Sequence, residues 1–472
     1  MDSKKPKALS RREFLKAAGL LTASGVLAAC APQAAPAAKP TDTPVPKAAG
    51  GTPAPSSTPA PTSTLTPTIT PTFAPGEVEI TYGRHDEGLG VNQTIKTFRE
   101  ANPKIRVTMS LIDNFHDHIY ALAAAGTLPD VVRSWEAMDL ELGRHGQFID
   151  LQPNVDATPD FHPEDFYSNW WNYPVINGKR FGIPDASAPH VTFYNMDLFD
   201  KAGVPYPDNT NFTWDDFVAK AKKLTDVKNG IWGTQPVPVG WQYYILKFCW
   251  QNGGDFFSPN YMKCVIDSPA SIEAHQFWAD FQLKGDAAPA PSQIASIGGE
   301  NVAANLMQAG KAAMFRMGTW ITQQLVAGKI KFNIAPEPKK VRMDTITHGA
   351  FNAISNTSKH KDLAWLWINA NCSTQGIYNY CAASDARFPG TRKSSNDIKP
   401  YPWVEPTADW NVNWDVIKDC QNYGHVLPGP NHESEGLKII GDAQQAIFTG
   451  TAKAADVLPQ IAPQVTSVIS AA

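Results

Sequence analysis

One stretch, Gly182 to Asp226, limits what this chain can fold into because it carries the start, the turn and the cap of successive elements. His190 to Tyr194 is rich in β-branched and aromatic residues and predicts a strand. A short amphipathic piece follows (Met196, Leu198, Phe199), closed by Gly203 and the Pro205/Pro207 pair. The next helix is announced by Thr213 as N-cap, with Asp216 three residues on to return the bond as in a capping box. Phe212 and Phe217 occupy the two staple positions. Phe217, Ala221 and Leu224 form one apolar stripe, with Lys220, Lys222 and Lys223 off it.

The residues before this unit alternate in the same way. Val78–Tyr82 predicts a strand, Asn92–Glu100 a helix, Ile105–Ser110 a strand, His116–Ala125 a helix and Leu128–Val132 a third strand. A β-α-β-α-β run of this kind implies an α/β, doubly wound parallel sheet. Ligands of open α/β sheets collect beyond the carboxyl ends of the strands. That rule points to Arg84–Glu87 after the first strand and Arg133–Glu136 after the third.

The N-terminus reads as an address. Six basic residues (Lys4, Lys5, Lys7, Arg11, Arg12, Lys16) precede an apolar run, Ala17–Ala29, too short for a permanent membrane span. SRREFLK, Ser10 to Lys16, resembles the twin-arginine export consensus, and Leu27-Ala28-Ala29-Cys30 resembles a lipobox whose cysteine is lipidated. Residues 31–76 are almost entirely Pro, Ala, Thr and Ser, which bury too little apolar surface to fold. At roughly 3 Å per residue such a tether reaches on the order of 100 Å. Its Thr-Pro repeats also suit O-glycosylation.

Removing residues 1–29 leaves 35 basic against 43 acidic residues, a net charge of −8. An acidic body without a basic run argues against nucleic acid as a partner. The remaining length suffices for two ordinary domains.

The Gly182–Asp226 stretch closely resembles a signature of the family 1 extracellular solute-binding proteins of ABC importers, "GIP…YYN-DLF-KAG…P-TWD-F…AKKLT", with an expanded PDNTN loop. AAGTLPDVV (residues 124–132), MQAGKAAMFRMGTW (307–320), HGAFNAIS (348–355), FPGTRKS (388–394) and the closing FTGTAKAADVLPQ (448–460) are similar to further elements of that family. The resemblance implies a periplasmic-binding-protein-like fold of type II, with two α/β lobes joined by crossover strands and ligand in the cleft between them. It places lobe 1 at residues 77–188 and 346–396 and lobe 2 at 189–345 and 397–472, behind a signal at 1–29 and a tether at 30–76. Its partners would be a small-molecule solute, above all a carbohydrate, the permease subunits of an ABC transporter, and a membrane reached through lipid on Cys30. The protein would act as a monomer, without cofactor, metal or catalysis.

A sugar needs aromatic faces to stack on and polar groups for its hydroxyls. Trp320 matches the family's stacking aromatic, with a core Trp as the alternative. Trp241 and Tyr243 lead into a second-lobe helix that often lines the cleft in the family, and core packing suits them equally. Trp135 stands at the end of the third strand. Asp86 and Glu87 follow the first strand, where the family places a polar ligand contact, and a solvated acidic loop is the other reading. Asp185, at the crossover, would contact ligand or cap a turn. Gly349 fits a close backbone approach near a hinge or ligand. Arg392 matches the family's arginine, as a ligand contact or a structural partner of a carboxylate. Of fourteen tryptophans, Trp170, Trp171, Trp403, Trp410 and Trp414 are assigned mostly to packing.

Three other chemistries compete. A glycoside hydrolase would need two placed acids, and no pair stands out. A metal site at His85, Asp113, His116 and His118 is weakened because residues two apart on a helix do not share a face. A cationic or other non-sugar solute, such as a polyamine or peptide, would suit Asp86, Glu87, Glu136 and Asp185. The aromatic content favours sugar. Besides Cys30 there are Cys249, Cys264, Cys372, Cys381 and Cys420, an odd set in which 249/264 and 372/381 are near enough in sequence to bridge. Export in the folded state disfavours early bridges.

Overall fold

A computed structural model describes residues 76–471 apart from 87, 239–240, 290–301, 384–386 and 405–409. The signal, Cys30, nearly all of the tether, and Glu87 lie outside the described residues.

Strand β1 (Val78–Arg84), helix α1 (Leu89–Ala101), β2 (Ile105–Leu111), α2 (Phe115–Ala125), β3 (Val131–Trp135) and α3 (Glu136–Arg144) follow in turn. β1 pairs in parallel with both β2 and β3, as the alternation predicts. The third strand begins later than the pattern Leu128–Val132 suggests. Pro129 has no N–H to give a ladder, and Asp130 turns its carboxylate to the Thr81 backbone N–H (2.9 Å) and hydroxyl (2.8 Å). Trp135 is therefore the last residue of β3.

After a two-residue hairpin, β4 (Val175–Ile176) and β5 (Lys179–Arg180), comes β6 (Ile183–Asn195), thirteen buried residues long. The sequence pattern marks only its second half. Its first half reads as a loop because Pro184, Pro189 and small residues break the alternation. β6 leads into α4 (Met196–Ala202), α5 (Trp214–Leu224), β7 (Trp232–Thr234), α6 (Gln242–Gln251) and α7 (Pro269–Lys284). Then come β8 (Ala312–Gly318), β9 (Phe332–Ala335), β10 (Thr345–Ile354), α8 (Lys361–Asn371) and α9 (Thr374–Cys381). α10 (Asp415–Tyr423), β11 (Gly424–Val426), α11 (Glu433–Phe448) and α12 (Ala454–Ile469) close the chain.

β6 joins the two lobes. Its residues Ile183–Pro189 pair antiparallel with β10, and His190–Tyr194 pair with β8 on one side while β9 flanks the other. β10 in turn pairs with β3 and, at its start, with β11. Two strands thus run through the region between the lobes. The core of lobe 1 is built on Ile80, Tyr82, Val107, Val131 and Trp367. Edge-to-face pairs set Trp367 5.5 Å from both Tyr82 and Phe98. Lobe 2 centres on Trp214, Phe217, Phe248 and Trp278, with the Arg316 guanidinium 4.0 Å above the Trp278 ring. Trp170, Trp214, Trp278, Trp367 and Trp403 are fully buried, so much of the tryptophan content is packing.

The helix signals hold with two differences. The Thr213 hydroxyl accepts the Asp216 N–H (3.1 Å), and Phe212 meets Phe217 at 6.0 Å. Asp216 does not return the bond; its carboxylate reaches Lys220 (3.3 Å), one helical turn on. Lys220 is nearly buried rather than off the stripe, its stem covered while its ammonium is paired. Cys249, Cys264, Cys372, Cys381 and Cys420 are all buried free thiols.

Candidate functional site

The sheet changes partners at one point. Pro189 is the last residue of β6 to face β10 (Thr347), and His190 is the first to face β8 (Gly318). Side chains alternate along a strand. Val191 and Phe193 therefore join a core cluster, while His190 turns to the other face. There the His190 ring meets Trp241 (5.3 Å between centroids), Trp320 (5.6 Å) and His348 of β10 (5.2 Å). His348 lies 5.2 Å from Trp241 and 5.4 Å from Trp320. Trp241, Trp320 and His348 are half-buried and His190 is fully buried beneath them.

Each ring has a local reason for its place. Trp320 stands in a 3-10 turn just past β8. A Cβ on Gly318 would come within 1.7 Å of the Trp320 ring, so only glycine lets the indole fold back over the strand end. Trp241 precedes α6, Tyr244 lies about one turn on from it, and Lys247 about one turn on from Tyr244. The Lys247 ammonium sits 3.9 Å over the Tyr244 ring, 2.6 Å from Glu337 Oε1 and 3.3 Å from His190 Nδ1. Burial pulls Lys247 down to about 7 against the opposing pull of Glu337. Burial, then the Lys247 charge, pushes His190 well below the usual imidazole range.

The lobe 1 side is made of charges. Arg133 forks onto Asp185 (Nε–Oδ2 2.7 Å, Nη2–Oδ1 3.1 Å), and Asn352 donates to the same carboxylate (3.0 Å). Asp86 accepts from Arg84 Nε (2.7 Å) and from the Tyr380 hydroxyl (2.7 Å). Both guanidiniums lie over the Tyr380 ring, at 4.9 and 4.6 Å. Burial pushes the Asp86 carboxyl up, but Arg133 and Arg84 outweigh it and hold the group well below the usual carboxylate range. Trp135 packs on His85 (4.7 Å) and Phe115 (5.3 Å). Glu136, next along, links this side to the ring cluster, facing His348 Nδ1 (3.5 Å) and accepting the Gly349 N–H (2.5 Å).

The expected site residues divide accordingly. Trp241 and Trp320 come together. Trp135 and the part-exposed Asp86 lie on the opposite, charged side, and Glu87 is outside the described residues. Asp185 is 1% exposed and committed to Arg133 and Asn352, neither a turn cap nor an open contact. Tyr243 points away from Trp241, its hydroxyl donating to Glu433 and set 3.1 Å from the Pro428 carbonyl in the lobe 2 core. The approach at Gly349 is close, but to Trp170 (2.4 Å from a built Cβ) and the Ala186 carbonyl (2.1 Å). Arg392 is spent on the carbonyls of Cys372 (2.6 Å), Phe161 (2.7 Å) and His162 (3.1 Å), beside Asp165 (3.4 Å). It staples lobe 1 and has no free face.

Sequence reasoning missed His190, His348, Tyr244 and Lys247. The signal for the last two was helical spacing in steps of three, from Trp241 to Tyr244 and from Tyr244 to Lys247, in place of the step of two to Tyr243. The signal for the histidines was a polar residue inside each of two buried strands. Among the described residues no three His, Cys, Asp or Glu are placed to hold a metal, and the His116 side chain is 61% exposed. Among them, too, no helix is long and apolar enough to cross a membrane.

Known proteins share this architecture. The chain is 26% identical over 316 residues to the arabinooligosaccharide-binding protein of Bacillus subtilis, covering 61% of this chain and 68% of that one. An ABC substrate-binding protein of Listeria monocytogenes, solved in complex with cycloalternan, superposes with a TM-score of 0.73 at 23% identity, over 83% of this chain and 98% of that one. The cyclic α-maltosyl-1,6-maltose binding protein of Arthrobacter globiformis gives 0.71 at 20% identity, over 84% and 100%. Residues 82–371, more than half the chain, match the family described as bacterial extracellular solute-binding protein, and the protein belongs to that family.

Proposed function

We propose that this protein captures a sugar or oligosaccharide between its lobes and delivers it to an ABC transporter, without catalysis. The observation that carries the reading is the half-buried ring cluster of Trp241, Trp320 and His348 where β6 changes partners. Indole faces suit the apolar faces of a pyranose or furanose, and a ligand touching both lobes selects their closed arrangement. The sugar ligands named for the related proteins support the same class. Among the described residues the cationic alternative loses its acids: Asp185 and Asp86 are paired with arginines, and Glu136 is engaged with Gly349 and His348.

The lobe limits proposed are 77–188 with 346–396 and 189–345 with 397–472, so that the junction falls at Ala188–Pro189, one residue before β6 changes partners. We further propose export through the twin-arginine-like signal, a lipid anchor at Cys30, an extracytoplasmic location and action as a monomer. Isothermal titration with arabinotriose and maltotriose, alongside spermidine, tests the ligand class. Saturable binding of a sugar, with the sugar recovered unchanged, is expected. Binding of spermidine alone, or cleavage of the sugar, would overturn the reading.

A further inference from the structure

The two imidazoles in the ring cluster have their protons placed by their neighbours. An ammonium donates and cannot accept, so His190 Nδ1, 3.3 Å from Lys247 Nζ, is the acceptor in that contact. The neutral His190 ring then carries its proton on Nε2. A carboxylate accepts and cannot donate, so Glu136 Oε1, 3.5 Å from His348 Nδ1, favours the neutral tautomer with its proton on Nδ1 and with Nε2 as the acceptor. Both Nε2 atoms are buried, and neither has a hydrogen-bond partner among the described residues. The ring centroids are 5.2 Å apart, with Trp241 and Trp320 against both. One unpaired donor and one unpaired acceptor therefore belong to neighbouring rings, each packed against the same two indoles.

Buried polar groups are normally paired, and those left unpaired in a native protein need a reason. We propose that His190 and His348 are a hydroxyl reader: a ligand hydroxyl accepts from His190 Nε2–H and donates to His348 Nε2. This rests on the binding reading above and narrows it to neutral, hydroxyl-bearing rings. An ammonium has no lone pair for the His190 N–H. A carboxylate or phosphate dianion has no hydrogen for the His348 nitrogen. A hydroxyl has both. Glu337 and Lys247, neither of which touches the ligand, position the donor by fixing the His190 tautomer (Lys247 Nζ–Glu337 Oε1 2.6 Å).

The first test needs no ligand. Long-range proton–nitrogen spectra of the full chain, with ¹⁵N-labelled histidine and assignment by H190Q and H348Q, read each tautomer directly, at pH 6 for His190, where Lys247 is an ammonium, and at pH 8.5 for His348. The expected result is Nε2–H for His190 and Nδ1–H for His348; the opposite tautomer at either ring overturns the proposal. The second test is calorimetry with arabinotriose and maltotriose on wild type, His190→Phe and His348→Phe. Each substitution should weaken the bound sugar at least tenfold, because it strands one side of the hydroxyl. Unchanged affinity in a folded His348→Phe protein overturns the reader even if His190→Phe fails to fold. If wild type binds neither sugar, the sugar reading fails for these probes while the tautomers still decide the histidine arrangement.

Discussion

The two sides of the inter-lobe region solve the same problem differently. Each buries cations beside the site. On the lobe 1 side Arg133 and Arg84 are answered by Asp185 and Asp86, and Tyr380 stacks under both. On the lobe 2 side a single pair, Lys247–Glu337, is capped by rings, and the imidazoles above it, His190 and the lobe 1 residue His348, keep unpaired nitrogens. A charge that has found its counter-charge has little left for a ligand. On the proposed reading the charged side is scaffold and the aromatic side is reader, although both look equally chemical in the sequence and the charged side also keeps buried nitrogens of Arg84 and His85 without a hydrogen bond.

The most forceful way to break this contrast is Asp185→Ala. It leaves Arg133 buried without its forked partner, and chemical denaturation should show a loss of about 3–5 kcal/mol. If stability is unchanged, the charged side is not scaffold. Trp320→Ala sharpens the other half. It should weaken sugar binding by about 2 kcal/mol, roughly thirtyfold, as titration calorimetry would measure. The indole is half-buried at a strand end, so the melting temperature should move little.

A third test uses acid. The folded Asp86 carboxyl titrates below its unfolded value of about 4, so its stabilisation is complete above that pH and is lost as pH falls toward the folded value. Wild type should therefore exceed Asp86→Asn in stability near neutrality, and the gap should close in melts taken progressively below pH 4. The smallest effect belongs to a region outside the comparison. Thr213→Ala removes a helix cap and should cost about 1 kcal/mol in the same denaturation assay, with sugar affinity unchanged.

How much of this was legible beforehand depended on whether a residue's role is local. The cap at Thr213 and the staple Phe212/Phe217 are decided within a few residues, and the chain spells them out. The alternation β1–α1–β2–α2–β3 likewise needs only short-range periodicity. Trp241 and Trp320 could be picked through the family resemblance, which matches Trp320 to a stacking aromatic and sets Trp241 before a helix that often lines the cleft. The roles of Asp185 and Arg392 could not, since each is settled by groups far along the chain: Arg133 for one, the carbonyls of Phe161 and Cys372 for the other. His190 and His348 were invisible for the same reason. Only the pairing of β6 with β10 and β8 sets them on one face, beneath rings from two other segments.

The five sealed thiols carry a consequence for how the protein matures. Each is buried and unpaired, and burial raises all five above the ordinary thiol range, which keeps the nucleophilic thiolate scarce. Nothing in the described body waits for oxidation to become rigid. Its packing is complete with all five thiols reduced, so folding of this body requires no oxidation step.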